Sequence, residues 1–162
     1  MANPYRCTVT IDGTAFDAVS TSVSFSTQTD QSGAPLMGSL NTEVVVWSDF
    51  HDNTNIPFST LQKLFTMANV VTRDKIKAMK IEFWQDESKQ NALCTYSFNG
   101  WIQRFETVNP SSVTANLDLD LANGQDDWTK FQGLAPQLNH MLVLGLQPAM
   151  NNQNFSAITQ SN

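Results

Sequence analysis

The chain has 162 residues, the length of about one domain, and its 9 Lys and Arg against 15 Asp and Glu leave a net charge of −6. Nine thinly spread cations cannot form the basic stripe that neutralises phosphates, which argues against nucleic acid as a partner, and no stretch approaches the ~18 apolar residues of a membrane span. Hydrophobic residues make up 41% and charged residues only 15%; a polar but sparsely ionised exterior repels its own copies weakly, which suits association between like molecules.

Residues 1–6 run directly into strand-like sequence without an apolar signal core, which predicts no export by the general secretory route. Period-2 alternation then dominates. Cys7, Val9 and Ile11 alternate with Arg6, Thr8 and Thr10, and Asp12 with Gly13 supplies a hairpin turn. Phe16 opens a return strand in which Val19, Thr21, Val23 and Phe25 face one way and serines the other. A polar loop follows over 27–38, punctuated by Gly33 and Pro35. Alternation resumes at Leu40, Thr42, Val44 and Val46, and the run 44–47 (Val-Val-Val-Trp) is apolar on both faces, as in a strand covered on both sides.

Pro57 suits the first turn of a helix, and Phe58, Leu61, Leu64, Phe65 and Ala68 give that helix an apolar face over about three turns. Met79, Ile81 and Phe83 mark the next strand, with a connecting turn over 86–91. Cys94, Tyr96 and Phe98 continue the pattern, and Gly100 predicts a bulge before Ile102 and Phe105. After a turn at Asn109 and Pro110, Val113, Ala115, Leu117, Leu119 and Leu121 mark a last clean strand. Short antiparallel strands at this spacing predict a mainly β chain, a sandwich or barrel with one flanking helix.

The 32 residues after Lys130 carry no Asp, Glu, Lys or Arg, yet include Leu138, Met141, Leu142, Val143, Leu144 and Leu146. Such a segment must pack on its own domain or on another chain. Cys7 and Cys94 sit at apolar-face positions and read as reduced thiols, a disulfide between neighbouring strands being the less favoured alternative.

No catalytic constellation is present. His51 and His140 lack the spacing of a metal site, no nucleophile elbow surrounds a serine, and no glycine cluster precedes the helix, so no catalytic residue, cofactor or metal is expected. Asp118 and Asp120 share a strand face and Asp126 adjoins Asp127, but each pair reads as solvated charge rather than an acid pair across a cleft. Trp47, Trp84, Trp101 and Trp128 could make a sugar-stacking platform, although core or interface packing is commoner in strands.

Gln28, Thr29, Asp30, Gln31, Ser32, Gly33, Ala34 and Pro35, following a hairpin near the N-terminus, resemble the Thr-Asp-x-x-Gly-x-Pro loop of the Hcp/TssD family, the tube proteins of type VI secretion, in its TssD branch. The order of strands, polar loop, strand, helix at 57–69 and three further strands agrees over about residues 3–122. The resemblance implies an antiparallel two-sheet β-barrel over 1–126, flanked by one helix, with 127–162 as an uncharged extension packed on the barrel or on a neighbouring subunit. It implies a non-enzymatic subunit forming homo-hexameric rings that stack into the inner tube of a contractile injection apparatus. Its partners would be further copies, sheath, spike and baseplate proteins, and effector cargo. Its location would be the cytoplasm before assembly and the exterior after firing, without a signal peptide.

Ring closure requires one patch to meet a different patch on the next copy. The jutting polar loop, represented by Gln28, Thr29, Asp30, Gln31, Ser32, Gly33 and Pro35, and the double-faced strand at Val45 and Trp47 are the expected subunit or ring-stacking contacts. Two other readings remain open: a phage-like or extracellular contractile-injection tail tube protein, and a monomeric β-sandwich that grips a glycan or other small ligand.

Overall fold

Alternating apolar and polar residues do fold into antiparallel strands. The computed structural model describes residues 6–109, 140–149 and 158–162. Among these run β1 (Cys7–Ile11), β2 (Thr14–Ala18), β3 (Ser20–Thr29), β4 (Pro35–Asp49), the helix α1 (Phe58–Asn69), a 3-10 turn (Arg73–Lys75), β5 (Lys77–Trp84), β6 (Ala92–Val108), β7 (Met141–Pro148) and β8 (Thr159–Ser161). The strand expected over 113–121, the acid pairs Asp118/Asp120 and Asp126/Asp127, and Trp128 lie outside the described residues.

The strand order is β2-β1-β5-β6-β7-β4-β3, with β8 added to β6. β6 is the pivot. Its first half pairs with β5 from Ala92 to Gly100, its second half with β7 from Gly100 to Val108. One long strand therefore serves two half-sheets, β2-β1-β5 on one side and β7-β4-β3 on the other. The two ends of that order, β2 and β3, are consecutive in sequence with only Val19 between them. Val19 donates its N–H to the Trp47 carbonyl at 2.7 Å, and the Ser48 hydroxyl bonds the Asp17 carbonyl at 3.1 Å. The sheet thus rolls until its two end strands come together around Val19 and Ser48, while the strand order shows no ladder between β2 and β3. The fold is mainly antiparallel β with a single α-helix among the described residues, as the alternation predicted.

The expected return strand is divided: residues 14–18 pair with β1, whereas residues from Ser20 onward pair with β4. The interior is filled from every layer, by Val9 and Ile11 of β1, Phe16 of β2, Val44 and Val46 of β4, Met79 and Ile81 of β5, Phe98 and Ile102 of β6, and Leu142, Leu144 and Leu146 of β7. α1 covers this core with Leu64 and Met67, joined by partly buried Leu61 and Ala68. The buried stripe is rotated from the face expected. At 100° per residue Phe58 stands about 110° and Phe65 about 90° from its centre, so they are 74% and 54% exposed, and Phe65 meets the Phe105 ring edge-on at 5.6 Å.

β7 is a central strand of the chain's own sheet, paired with β4 and β6 at once. Leu142, Leu144 and Leu146 point inward, while Met141 and Val143 pack with Trp47 on the opposite face. The double-faced apolar run in the tail thus matches the double-faced run 44–47. The bulge expected at Gly100 falls instead between Ile102 and Arg104. Gly100 has a different reason to be glycine: a Cβ there would lie 2.4 Å from the Gln147 carbonyl oxygen, so the two backbones approach as closely as they do only without a side chain.

Both cysteines are free. Cys7 and Cys94 pair with opposite sides of Phe83, which separates them by two strand spacings, or about 9.6 Å, beyond disulfide reach. Cys7 is buried and donates to the Thr21 hydroxyl at 3.1 Å; burial raises its thiol to about 11.

Candidate functional site

β3 and β4 pair over almost their full lengths, from Ser20↔Trp47 to Thr29↔Pro35. β7, however, supports β4 only from Val44 to Asp49. Beyond Glu43 the two strands leave the sheet as a two-stranded arm. Its root is tied by the Gln147 amide donating to the Thr42 hydroxyl at 3.1 Å and by Phe25 meeting the Tyr96 ring at 6.3 Å. From Ser26 to Leu36 every residue is exposed.

The tip is ordered by its own chemistry. The Asp30 carboxylate accepts the Ser32 N–H at 2.9 Å, the Ala34 N–H at 3.0 Å and the Ser32 hydroxyl, while Gly33 turns the chain at φ +85° and donates to the Asp30 carbonyl at 3.1 Å. These bonds, led by the Ser32 hydroxyl, hold the Asp30 carboxyl below its ordinary value. The Thr-Asp-x-x-Gly-x-Pro signal is thus an Asx turn with a left-handed glycine, which a hairpin tip demands.

Of the expected contact residues, Gln28, Thr29, Asp30, Gln31, Ser32, Gly33 and Pro35 come together at this tip. Val45 and Trp47 do not join them. They lie ten or more residues along β4 from Pro35, about 33 Å at the rise of a strand. Trp47 is only 6% exposed, packed with Met141 and Val143, while Val45 is half-buried beside a surface cleft of about 360 Å³ that Glu43, Gln103 and Arg104 also line. The sequence did not announce that the arm outruns its support; that depends on the register of β7, set 100 residues later.

The described tryptophans do not share a strand: Trp47, Trp84 and Trp101 belong to β4, β5 and β6. Trp84 borders an open cleft of about 650 Å³ with Thr8, Asp17, Asn55 and Lys89. The polar groups of that cleft bond one another. Trp84 donates to the Thr8 hydroxyl, Thr8 to the Asp17 carboxylate, Lys89 pairs with Asp17, and the Asn55 amide donates to the Asp17 carbonyl and accepts its N–H. The cleft reads as a latch between β2, the segment before α1 and the β5–β6 turn.

Among the described residues no group of three or more His, Cys, Asp or Glu side chains is placed to hold a metal ion. No helix of the described residues is long and apolar enough to cross a membrane. The two histidines, 89 residues apart, meet each other, with Nδ1 to Nδ1 at 3.1 Å.

A rolled antiparallel sheet pivoting on one long strand, with a helix on its flank and a projecting hairpin, defines an Hcp-like β-barrel. Two solved structures share it. Hcp1 from Flavobacterium johnsoniae superposes with a TM-score of 0.57 at 9% identity, covering 96% of this chain and 94% of that one. A second Hcp protein gives 0.54 at 12% identity over 88% and 86%. No family model matches the sequence, and no curated protein matches it either. The likeness is one of fold.

Proposed function

We propose that this chain is a tube-building subunit, whose copies close into rings of about six that stack into the inner tube of a type VI or related contractile injection apparatus. The arm formed by 26–41 carries this reading. An isolated two-stranded hairpin is marginally stable in water at best, and this one holds its backbone pairs with all of residues 26–36 exposed and one ionisable group, Asp30. Natural edges are usually blunted by Lys, Pro or inward charge; β3 carries no charged residue and no proline. A surface so built gains by meeting another copy. The fold match along nearly the whole chain supports the same reading. In this reading the chain is structural rather than enzymatic, its effectors travel with the tube, and its partners are sheath, spike and baseplate proteins.

The tip residues 28–35 would make the stacking or neighbour contact, with Val45 and its cleft as a second patch. Trp47 supports that patch from within its own chain. Deleting 31–36 tests this. The barrel should remain folded by circular dichroism, while annuli and cylinders seen by negative-stain microscopy of the intact chain should disappear. Unchanged annuli in the deletion, or a solitary 18 kDa species of intact chain at every concentration, would overturn it.

A further inference from the structure

The only two histidines of the chain belong to distant segments, and the fold brings them into contact. His140 precedes β7 and His51 follows β4, where Asp49↔Met141 closes the ladder and the Phe50 N–H adds one more bond to the His140 carbonyl at 3.1 Å. The ring planes are 19° apart and the ring centres 5.2 Å apart, whereas the Nδ1 atoms are only 3.1 Å apart. The rings therefore meet edge to edge, nitrogen facing nitrogen. One Nδ1 must carry a proton and the other must present a lone pair, because two lone pairs or two N–H groups cannot bond. The Phe50 ring packs on His140 at 5.4 Å and fixes its plane.

We infer that His51 and His140 form a proton-sharing clasp that closes the end of the β4–β7 ladder near neutral pH and opens in acid. When both imidazoles take up a proton, two cations with two opposed donors face each other at bonding distance, and the contact turns repulsive. Histidine is the side chain whose charge changes between about pH 5 and 8.

The other charges facing the clasp are few among the described residues. β4 brings Asp49, whose carboxylate accepts the His51 N–H at 2.9 Å, and the following segment brings Asp52, which is held by the Thr54 N–H at 3.0 Å and its hydroxyl. β3 and β7 contain no ionisable side chain. β6 ends beside Met141 at Val108, and its last charged residue, Glu106, pairs with Arg104. A charge at Asp49 or Asp52 does not remove the clash of two opposed N–H donors at 3.1 Å.

Opening frees the Phe50 N–H and the His51 side chain, while Asn55 stays latched to Asp17 and Ile56 stays in the core. Amide hydrogen exchange on the full chain tests it. Corrected for the intrinsic rate, protection at Phe50 should fall about tenfold between about pH 7.5 and 5, while protection in the middle of β7 stays constant. H51Q and H140Q should each show the weaker protection at both pH values. Equal protection of Phe50 across that range in the wild-type chain would overturn the proposal even if neither variant folds. So would the same pH dependence persisting in both variants.

Discussion

Cys7 shows how much of the chemistry of a side chain is set by its neighbours. Its alternation with Thr8 marks it as inward-facing, and burial then raises the thiol to about 11. Above the thiol's ordinary value the unfolded chain releases this proton before the folded one does, so stability is complete below about pH 9 and declines as pH rises towards 11. C7A should flatten that decline, as read from urea midpoints between pH 8 and 10.5. Folded protein at pH 8 should likewise let a thiol reagent reach half-buried Cys94 and leave Cys7 unmodified until unfolding. Gly100 makes the complementary case. G100A puts a methyl group against the Gln147 backbone, which strands β6 and β7 can relieve only by separating. The expected loss is about 1–3 kcal/mol in urea unfolding, the range for overpacking; an unchanged midpoint would show that this approach is soft.

At the level of elements, β7 decides whether the sheet closes. It contributes Leu142, Leu144 and Leu146 to the main core and Met141 and Val143 to the second cluster, so a chain without it would leave β4 and β6 each with an unpaired edge. L144A should cost about 2–5 kcal/mol, the price of a large-to-small change at a fully buried site. Much of this was legible in sequence. Strands with one buried face announce themselves by alternation, as Val9, Ile11, Met79 and Ile81 do. The apolar run 141–146 carried no period to follow, since a strand buried on both faces has none, and its place between β4 and β6 follows from pairing rather than pattern. The helix was found and its face misjudged by Phe58 and Phe65, because hydrophobicity counts the rings but not the direction of the core. The polar loop expected over 27–38 shrinks to a turn over 30–34, because the polar residues on either side pair as β3 and β4. The distance of that turn from Val45 and Trp47 was hidden, since neither residue reports how far a partner strand extends.

For the whole molecule, the sparse charge of the chain meets its test in the arm. Between Ala18 and Glu43 the only ionisable side chain is Asp30, and its carboxylate is occupied by the Ser32 and Ala34 amides. A contact made by such a surface draws on backbone pairing, hydroxyl and amide hydrogen bonds and exposed apolar groups such as Phe25, 43% exposed, none of which is screened by salt. Raising NaCl from about 0.05 M to 0.5 M shortens the Debye length from roughly 14 Å to about 4 Å. Assembly through ion pairs would weaken steeply over that interval. Assembly through this arm should hold or strengthen, because the remaining obstacle is the mutual repulsion of chains that each carry a net charge of −6. Light scattering after size exclusion, at matched protein concentration across the salt series, separates the two. Rings that dissolve at high salt would place the contact on charged surface elsewhere in the barrel, and D30N, which leaves the turn an acceptor but removes its charge, should then be as inert as it is expected to be harmless in the first case.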